Sequence, residues 1–275
     1  MEQASYVDRA GQDALVLSEH HASDDGYLTS PLLLAAAMAA RTDRIPITIS
    51  ALLVNLYEPI RLAQDIEVLE QIGAGRVSYT FGIGYRIEEY ELFDRPWPSR
   101  GADAEAHIRQ VQEYLRRLGI APMLFYGGGS RAAATQAARL GLHFQPQVTD
   151  RELADFYREE CRRAGREPGL VVRPPTGPAY VFCASDPDRF WALHGHHLLA
   201  DATAYQAWLA GRAAQVADRS QTLGELRVAG QYAVLTPQEA VERCRRRELR
   251  LITAHPLCGG LPEEPSWESL RLICE

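Results

Sequence analysis

The fold is decided by residues 11–21, GQDALVLSEHH, where a short apolar run leads directly into acidic and imidazole side chains. Residues 14–17 follow a glycine and carry apolar side chains on both faces, which is typical of a buried parallel strand. Polar residues just after such a strand lie at its carboxyl end, where parallel sheets bind ligands. Residues 18–21 are therefore a candidate site, although a polar loop that caps the next helix explains them equally well.

Strand-like and helix-like segments alternate outward from this stretch along most of the chain. Further strands are predicted at residues 45–50, 77–83, 122–126, 142–144, 179–184 and 249–254. Helices are predicted at residues 30–41, 58–73, 102–118, 150–164 and 267–273, and others begin at Glu2, Ser130, Asp186 and Thr236. This alternation predicts an α/β protein with a parallel sheet, and periodicity leaves open whether the sheet is open or closes into a barrel.

Composition and charge define the broad class of the protein. The 275 residues are 46% hydrophobic and 24% charged, which suffices for one globular domain over residues 1–275 with an ordinary core. The net charge of −7 argues against nucleic acid as a partner. The longest apolar run, residues 32–40, is about half of a membrane span, so no membrane association is expected. Five cysteines without a C-x-x-C pair indicate reduced thiols, and we expect a cytoplasmic protein.

A glycine-rich turn, GGGS at residues 127–130, joins a predicted strand to a predicted helix. Glycines allow close approach of a ligand to the backbone, and a helix start offers unpaired N–H groups to an anion. The spacing fits neither a P-loop nor G-x-G-x-x-G. A phosphate cradle and a tight strand–helix turn are both consistent with these residues.

Two further strand ends carry small residues. Gly82 and Gly84 end one predicted strand, and Ser50, Ala51 and Leu52 end another. A glycine at a strand end indicates that a flat ligand or another backbone comes close. Each segment taken alone is explained by ordinary packing.

Together and in order, these segments resemble the luciferase-like monooxygenase family. The similarity runs through residues 11–21, 30–69, 75–93 and 124–141, and includes the helix residues Arg61, Ala63 and Asp65. The tail HPLCGGLPEEPSWESL, which begins at His255, is similar to one branch of the family. The resemblance implies a TIM-barrel-like parallel barrel that binds reduced FMN, or the deazaflavin F420 in some branches, at the carboxyl ends of its strands.

The resemblance also implies roles for individual residues. His20 matches the active-site histidine beside the flavin, and the bond between Ala51 and Leu52 matches the place of a non-proline cis peptide. An arginine that holds the phosphate in some luciferases falls on Ile83, so that contact is not expected here. The implied cofactor-binding residues are Ser50, Ala51, Leu52, Gly82, Gly84, Gly128, Gly129 and Ser130, and no residue is assigned to a metal.

Two departures from the family predict a shortened or incomplete barrel of about seven strands. Family members have a strand before the helix that begins here at Glu2, and an insertion where residues 119–121 now join helix to strand. An open sheet edge exposes unpaired backbone groups. We therefore expect the chain to form a homodimer.

The function expected from the resemblance is a flavin-dependent oxidoreductase or monooxygenase acting with O2 on a small organic substrate, with a separate flavin reductase as partner. His20, rather than His21, is expected to face the cofactor as an acid/base. One alternative is a flavin-binding protein without turnover. Another is a metal-dependent hydrolase that uses His20, His21 and Asp24 and recruits His143 or His255.

Overall fold

The computed structural model describes residues 1–275 as two compact units, residues 1–173 and residues 174–275. Helices and parallel strands alternate in both, as predicted. The single domain over residues 1–275 stays a prediction. No helix of the chain combines the length and the apolar character needed to cross a membrane.

The first unit contains a five-stranded parallel sheet in which the strands follow chain order. Its strands are β1 (Leu15–Leu17), β2 (Ile47–Leu53), β3 (Val77–Gly82), β4 (Met123–Gly127) and β5 (His143–Gln145). The edge strand β5 also forms a bridge from Phe144 to Val171. Because every strand runs in the same direction, the carboxyl ends of β1 to β5 lie along one edge of this sheet.

The first unit also contains seven helices and one 3-10 turn, Val54–Leu56. The helices are α1 (Glu2–Arg9), α2 (Pro31–Ala39), α3 (Pro59–Gly73), α4 (Ile87–Leu92), α5 (Arg100–Arg117), α6 (Arg131–Leu140) and α7 (Arg151–Arg163). Proline occupies the first turn of α2 and α3, where its missing N–H costs no hydrogen bond. Side chains of Glu58, Ser130 and Asp150 cap α3, α6 and α7 by accepting backbone N–H bonds.

The two faces of the first sheet differ in character. One face carries Leu17, Ile49 and Tyr79, which pack in a core with helix residues such as Leu62 and Ile66. Thr48 and Ser78 are register partners on the opposite face of the sheet, and their hydroxyl groups are hydrogen bonded at 2.9 Å. Helices cover the apolar face, so small polar side chains are left to the other face.

The second unit is built on two parallel strands, β6 (Tyr180–Cys183) and β7 (Tyr232–Leu235). Its helices are α8 (Pro187–Leu209), α9 (Leu223–Ala229), α10 (Pro237–Arg245) and α11 (Glu263–Cys274), with a 3-10 turn at Cys258–Gly260. A core that includes Phe182, Trp191, Leu198 and Leu226 holds α8 and α9 on the strands. Thr236 forms a capping box with Glu239 at the start of α10.

The strand count of seven was predicted, but one strand was assigned wrongly. Residues 249–254 form no strand, because only the carbonyl of Thr253, which accepts from the Val181 N–H at 2.9 Å, joins them to β6. The seventh strand is instead β7, whose four buried residues stand between Gly230 and Thr236. Helices α4 and α9 were not predicted. Both are short, and α4 is strongly acidic, so neither shows a clear apolar stripe in the sequence.

Candidate active site

The predicted site residues all follow strands of the first unit at the same edge of its sheet. His20 follows β1, Ser50 to Leu52 end β2, Gly82 and Gly84 end β3, and Gly128 to Ser130 follow β4. Direct packing joins the β2 and β3 ends, because a Cβ on Gly82 would lie 2.8 Å from the Ala51 Cβ. Ser130, in contrast, contacts Ala133 in its own helix.

His20 is buried between a carboxylate and a phenol. Its Nδ1–H donates to Glu89 Oε1 at 2.9 Å, and its Nε2 lies 3.0 Å from the Tyr85 hydroxyl. The ring also meets Tyr27 edge-on at 4.9 Å between centroids. Because an ionised carboxylate only accepts hydrogen bonds, Glu89 fixes the proton of His20 on Nδ1. A neutral His20 therefore presents Nε2 as a proton acceptor toward the Tyr85 hydroxyl.

His21 is equally buried but belongs to a different network. Its Nε2–H donates to Glu19 Oε1 at 2.9 Å, while its ring meets Phe93 edge-on. Glu19 also accepts from the Tyr57 hydroxyl at 2.8 Å and from the Leu53 N–H at 2.7 Å. Burial, followed by the Glu19 charge, raises the pKa of Tyr57, so its hydroxyl remains a donor. This network ties the end of β1 to the end of β2.

Glu89 is completely buried, and one of its oxygens has no partner. Oε1 accepts from His20 Nδ1–H and from the His21 N–H at 3.1 Å, whereas Oε2 has no hydrogen bond. Arg86 Nη1 lies 3.6 Å from Oε1 and balances the charge, while its guanidinium also donates to the His21 and Ala22 carbonyls. An unsatisfied buried acceptor is costly, so Oε2 suits a donor supplied by a ligand or by water.

The β2 strand end contains a non-proline cis peptide between Ser50 and Ala51. The expected position, between Ala51 and Leu52, was wrong by one bond. A register shift between Ser50 and Leu52 accompanies the cis bond, and it brings Leu52 opposite Phe81 of β3. Gly82 fits against Ala51 only because it lacks a side chain.

The glycine turn after β4 has the geometry of a backbone cradle. Gly128 has φ +157°, and a Cβ there would lie 2.7 Å from the Ala133 Cβ. Ser130 is the exposed N-cap of α6 and accepts from the Ala133 N–H at 3.2 Å. The remaining N–H groups of the first turn of α6 have no partners within the helix. This arrangement suits an anion such as a phosphate.

The partners of His20 were not predicted from the sequence. Tyr85 and Arg86 follow the G-x-G segment, and Glu89 lies in a run of acidic residues in α4. Glu88 and Glu91 in that run are exposed, so composition gave no sign that Glu89 alone turns inward. The available signal in the sequence was the position of this acidic run, a few residues after the end of a predicted strand.

The histidines of the metal-hydrolase alternative are engaged in other contacts. His143 Nδ1 accepts from the Leu170 N–H at 3.0 Å, and burial lowers the pKa of His143, which keeps it neutral. His20 and His21 face separate carboxylates, and Asp24 is exposed. His255 belongs to the second unit.

Residues 1–118 match the model of a family described as luciferase-like monooxygenase. The beta chain of alkanal monooxygenase from Photorhabdus luminescens is 29% identical over 91 residues, which are 33% of this chain and 28% of that relative. The match thus spans less than a third of that curated relative. Residues 1–118 are thus similar to the luciferase-like monooxygenase family, and the resemblance predicted from the sequence is confirmed.

Solved structures extend the likeness to the whole chain. The FMN complex of the oxygenating constituent of 3,6-diketocamphane monooxygenase from Pseudomonas putida, a type II Baeyer–Villiger enzyme, has a TM-score of 0.73 at 19% identity. The match covers 100% of this chain and 90% of that one. An F420-dependent secondary alcohol dehydrogenase with an F420–acetone adduct has a TM-score of 0.65 at 16% identity, over 90% and 84% of the two chains. The predicted TIM-barrel-like α/β fold class is confirmed.

Proposed function

We propose that the chain is a flavin-dependent monooxygenase that uses reduced flavin and O2 to oxidise a small organic substrate. The observation that carries this proposal is the buried His20–Glu89 pair, which lies at the same sheet edge as the Ser50–Ala51 cis peptide and the Gly128 turn. A buried imidazole–carboxylate pair at the carboxyl ends of parallel strands is typical of a reaction site. The match of residues 1–118 to the luciferase-like monooxygenase family supports the same conclusion.

The strand ends of the first unit suit a phosphate-bearing flavin in two places. Gly128, Gly129 and Ser130 would hold the phosphate at the start of α6. The ring system would lie against the small side chains and bare backbone of the neighbouring strand ends, namely Ser50, Ala51, Leu52, Gly82 and Gly84. When bound in its reduced form, the flavin supplies the electrons for O2 activation.

His20 would act as the acid/base of the reaction. Glu89 orients the imidazole and holds the Nδ1 proton, so Nε2 is the atom that accepts or returns a proton. The Tyr85 hydroxyl at 3.0 Å is the partner through which a proton at Nε2 can be exchanged. Burial of His20 and Glu89 keeps water from competing for these hydrogen bonds.

We propose FMN as the cofactor, with F420 as the second candidate. One structural neighbour is an FMN complex and another holds an F420 adduct, and each cofactor carries a phosphate that the glycine turn would bind. The neighbour named as an oxygenating constituent supports a division of labour in which a separate flavin reductase supplies the reduced cofactor.

A homodimer is part of the proposal. Strand β1 is at the edge of the five-stranded sheet, and its central residue Val16 is 59% exposed. An exposed strand edge with an apolar side chain favours pairing with another chain. Light scattering of the purified protein should give twice the mass of one chain, and a monomer at all concentrations would contradict the dimer.

Single-turnover kinetics test the function. Protein loaded anaerobically with reduced FMN is mixed with ¹⁸O2 and a panel of aldehydes and ketones, and products are analysed for ¹⁸O. Incorporation of one labelled oxygen into a product, reduced by His20→Ala, is the expected result. If bound flavin reoxidises at the rate of free flavin with every compound, and His20→Ala changes nothing, the chain is a flavin-binding protein without turnover.

A further inference from the structure

Three metal-ligating side chains converge in the second unit, and none of them is among the residues proposed to bind flavin. The ligand atoms of Asp201, His255 and Cys258 all lie within 4.8 Å of one another. His255 Nε2 and Asp201 Oδ1 are 3.6 Å apart. A tetrahedral Zn²⁺ ion with ordinary bond lengths holds its ligand atoms about 3.3 to 3.6 Å apart, so the triad needs only small adjustments to close on an ion.

We propose that Asp201, His255 and Cys258 bind a divalent first-row transition metal ion, with Zn²⁺ as the expected occupant. A carboxylate, an imidazole and a thiolate together are a ligand set that Zn²⁺ prefers. The sulfur ligand disfavours Mg²⁺ and Ca²⁺, which select oxygen. Three protein ligands leave a fourth position for water.

The three ligands are held by structure that is independent of any ion. Asp201 lies within α8, and its second oxygen Oδ2 accepts from the Tyr232 hydroxyl at 2.6 Å. An oriented carboxylate with a hydrogen-bonded outer oxygen is the usual arrangement around metal ligands. His255 and Cys258 belong to one turn, closed by the Cys258 N–H donating to the His255 carbonyl at 3.1 Å.

A glycine allows this turn to pack closely against helix α8. Gly259 has φ +53°, and a Cβ there would lie 1.9 Å from the His197 carbonyl oxygen, so no other residue fits. The His197 Nδ1–H donates to the Gly259 carbonyl at 2.9 Å and fixes the same contact. The close approach places Cys258, which follows His255 by three residues, beside Asp201 of the helix.

Charge gives a reason for an ion at this place. Asp201 is 4% exposed and Cys258 is completely buried. No lysine or arginine pairs with Asp201, whose one ion-pair partner is His255. A buried carboxylate without a cation is costly, and a metal ion supplies the missing positive charge. The His255 side chain is 23% exposed, so an ion can reach the triad from solvent.

Cobalt binding to the full chain tests the proposal. The purified protein is stripped of metal with a chelator and titrated with Co²⁺ alone, and the thiolate-to-cobalt charge-transfer absorption is recorded. One Co²⁺ per chain with this band is expected, and Zn²⁺ should displace it. Cys258→Ser should abolish the band, whereas Cys244→Ser, which alters an exposed cysteine, should leave it unchanged.

Two further variants keep the test decisive if Cys258→Ser does not fold. His255→Ala changes a partly exposed side chain and should weaken Co²⁺ and Zn²⁺ binding at least tenfold. Tyr232→Phe removes only the outer hydrogen bond to Asp201 and should weaken binding about 10- to 100-fold. No charge-transfer band in the wild-type protein, or a band of unchanged affinity in His255→Ala and Tyr232→Phe, would overturn the proposal.

Discussion

The Nδ1–H of His20 donates to Oε1 of Glu89 across 2.9 Å, although 69 positions separate the two residues in the chain. The first follows β1, and the second lies in the short helix α4 after β3. The fold thus supplies a buried carboxylate that the motif around His20 does not contain. This pairing decides the tautomer of His20, so it is the basis for the role proposed for Nε2.

Glu89→Gln is expected to lower the single-turnover rate about tenfold or more while the protein stays folded. The amide can still accept from His20 Nδ1–H, but it no longer stabilises a protonated imidazole. An unchanged rate in the folded variant would show that Glu89 serves packing alone.

The two adjacent histidines should respond differently to truncation. His20→Ala is expected to reduce substrate oxidation about 100-fold, because an acid/base group is lost. His21→Ala should retain activity and lose about 2 kcal/mol of unfolding free energy, because its bond to buried Glu19 disappears. Urea denaturation and single-turnover kinetics on both variants check this. Full activity in His20→Ala beside a folded, inactive His21→Ala would reverse the assignment.

Gly82→Ala should damage the β2–β3 strand end. Its Cβ would lie 2.8 Å from the Ala51 Cβ, which cannot move without its backbone, so we expect a loss of about 1 to 3 kcal/mol and weaker flavin binding. Gly101→Ala is the matched control, since nothing lies near its Cβ and it occupies helix α5. That variant should be neutral or slightly more stable. Equal effects of the two substitutions on flavin affinity would contradict the prediction.

Acid should remove one stabilising contact of the first unit. The N–H groups of Asp43, Ile45 and Arg44 donate to the Asp8 carboxylate and hold its pKa below the ordinary 3.8. A lowered folded-state pKa means that the stabilisation is complete above the unfolded value and disappears as pH falls through the folded value. Asp8→Asn should therefore cost about 2 kcal/mol at neutral pH.

Denaturation of wild type and Asp8→Asn at a series of pH values measures this effect. The difference between the two proteins should stay constant from neutral pH to about 5 and shrink below about 4. A difference that does not change with pH would show that the loss comes from packing.

The sequence predicted the elements of the first unit best, because its strands are buried and its helices begin with clear caps. Residues 77–83 and 58–73 were predicted almost to the observed bounds of β3 and α3. Strand β7 was not predicted, because four apolar residues fit a loop or the end of a helix equally well. Residues 249–254 have the same composition as a strand, and only their lack of a hydrogen-bonded ladder separates them from one.

The candidate site could be predicted in part. His20 and the glycines follow strands, so their common edge was apparent from the alternation of elements. Glu89 and Tyr85 reach His20 only through tertiary packing of α4, which the local sequence does not record. The triad of Asp201, His255 and Cys258 was invisible for the same reason, since helix α8 brings in the first ligand from more than 50 positions away.

Retention of cofactor through the glycine turn is the most direct test of flavin binding by this chain. Wild type, Ser130→Ala and Thr222→Ala are incubated separately with FMN and with F420, desalted, and examined by absorption spectroscopy. Thr222 caps α9 in the same way as Ser130 caps α6, each accepting an N–H at 3.2 Å, so both variants should lose about 1 kcal/mol of stability.

Wild type and Thr222→Ala should retain one cofactor with its absorption bands, and Ser130→Ala should bind it about 10- to 150-fold more weakly, as expected for the loss of a hydrogen bond to a charged group. Wild-type protein that emerges without either chromophore, or a Ser130→Ala variant with unchanged affinity, would contradict flavin binding at this turn.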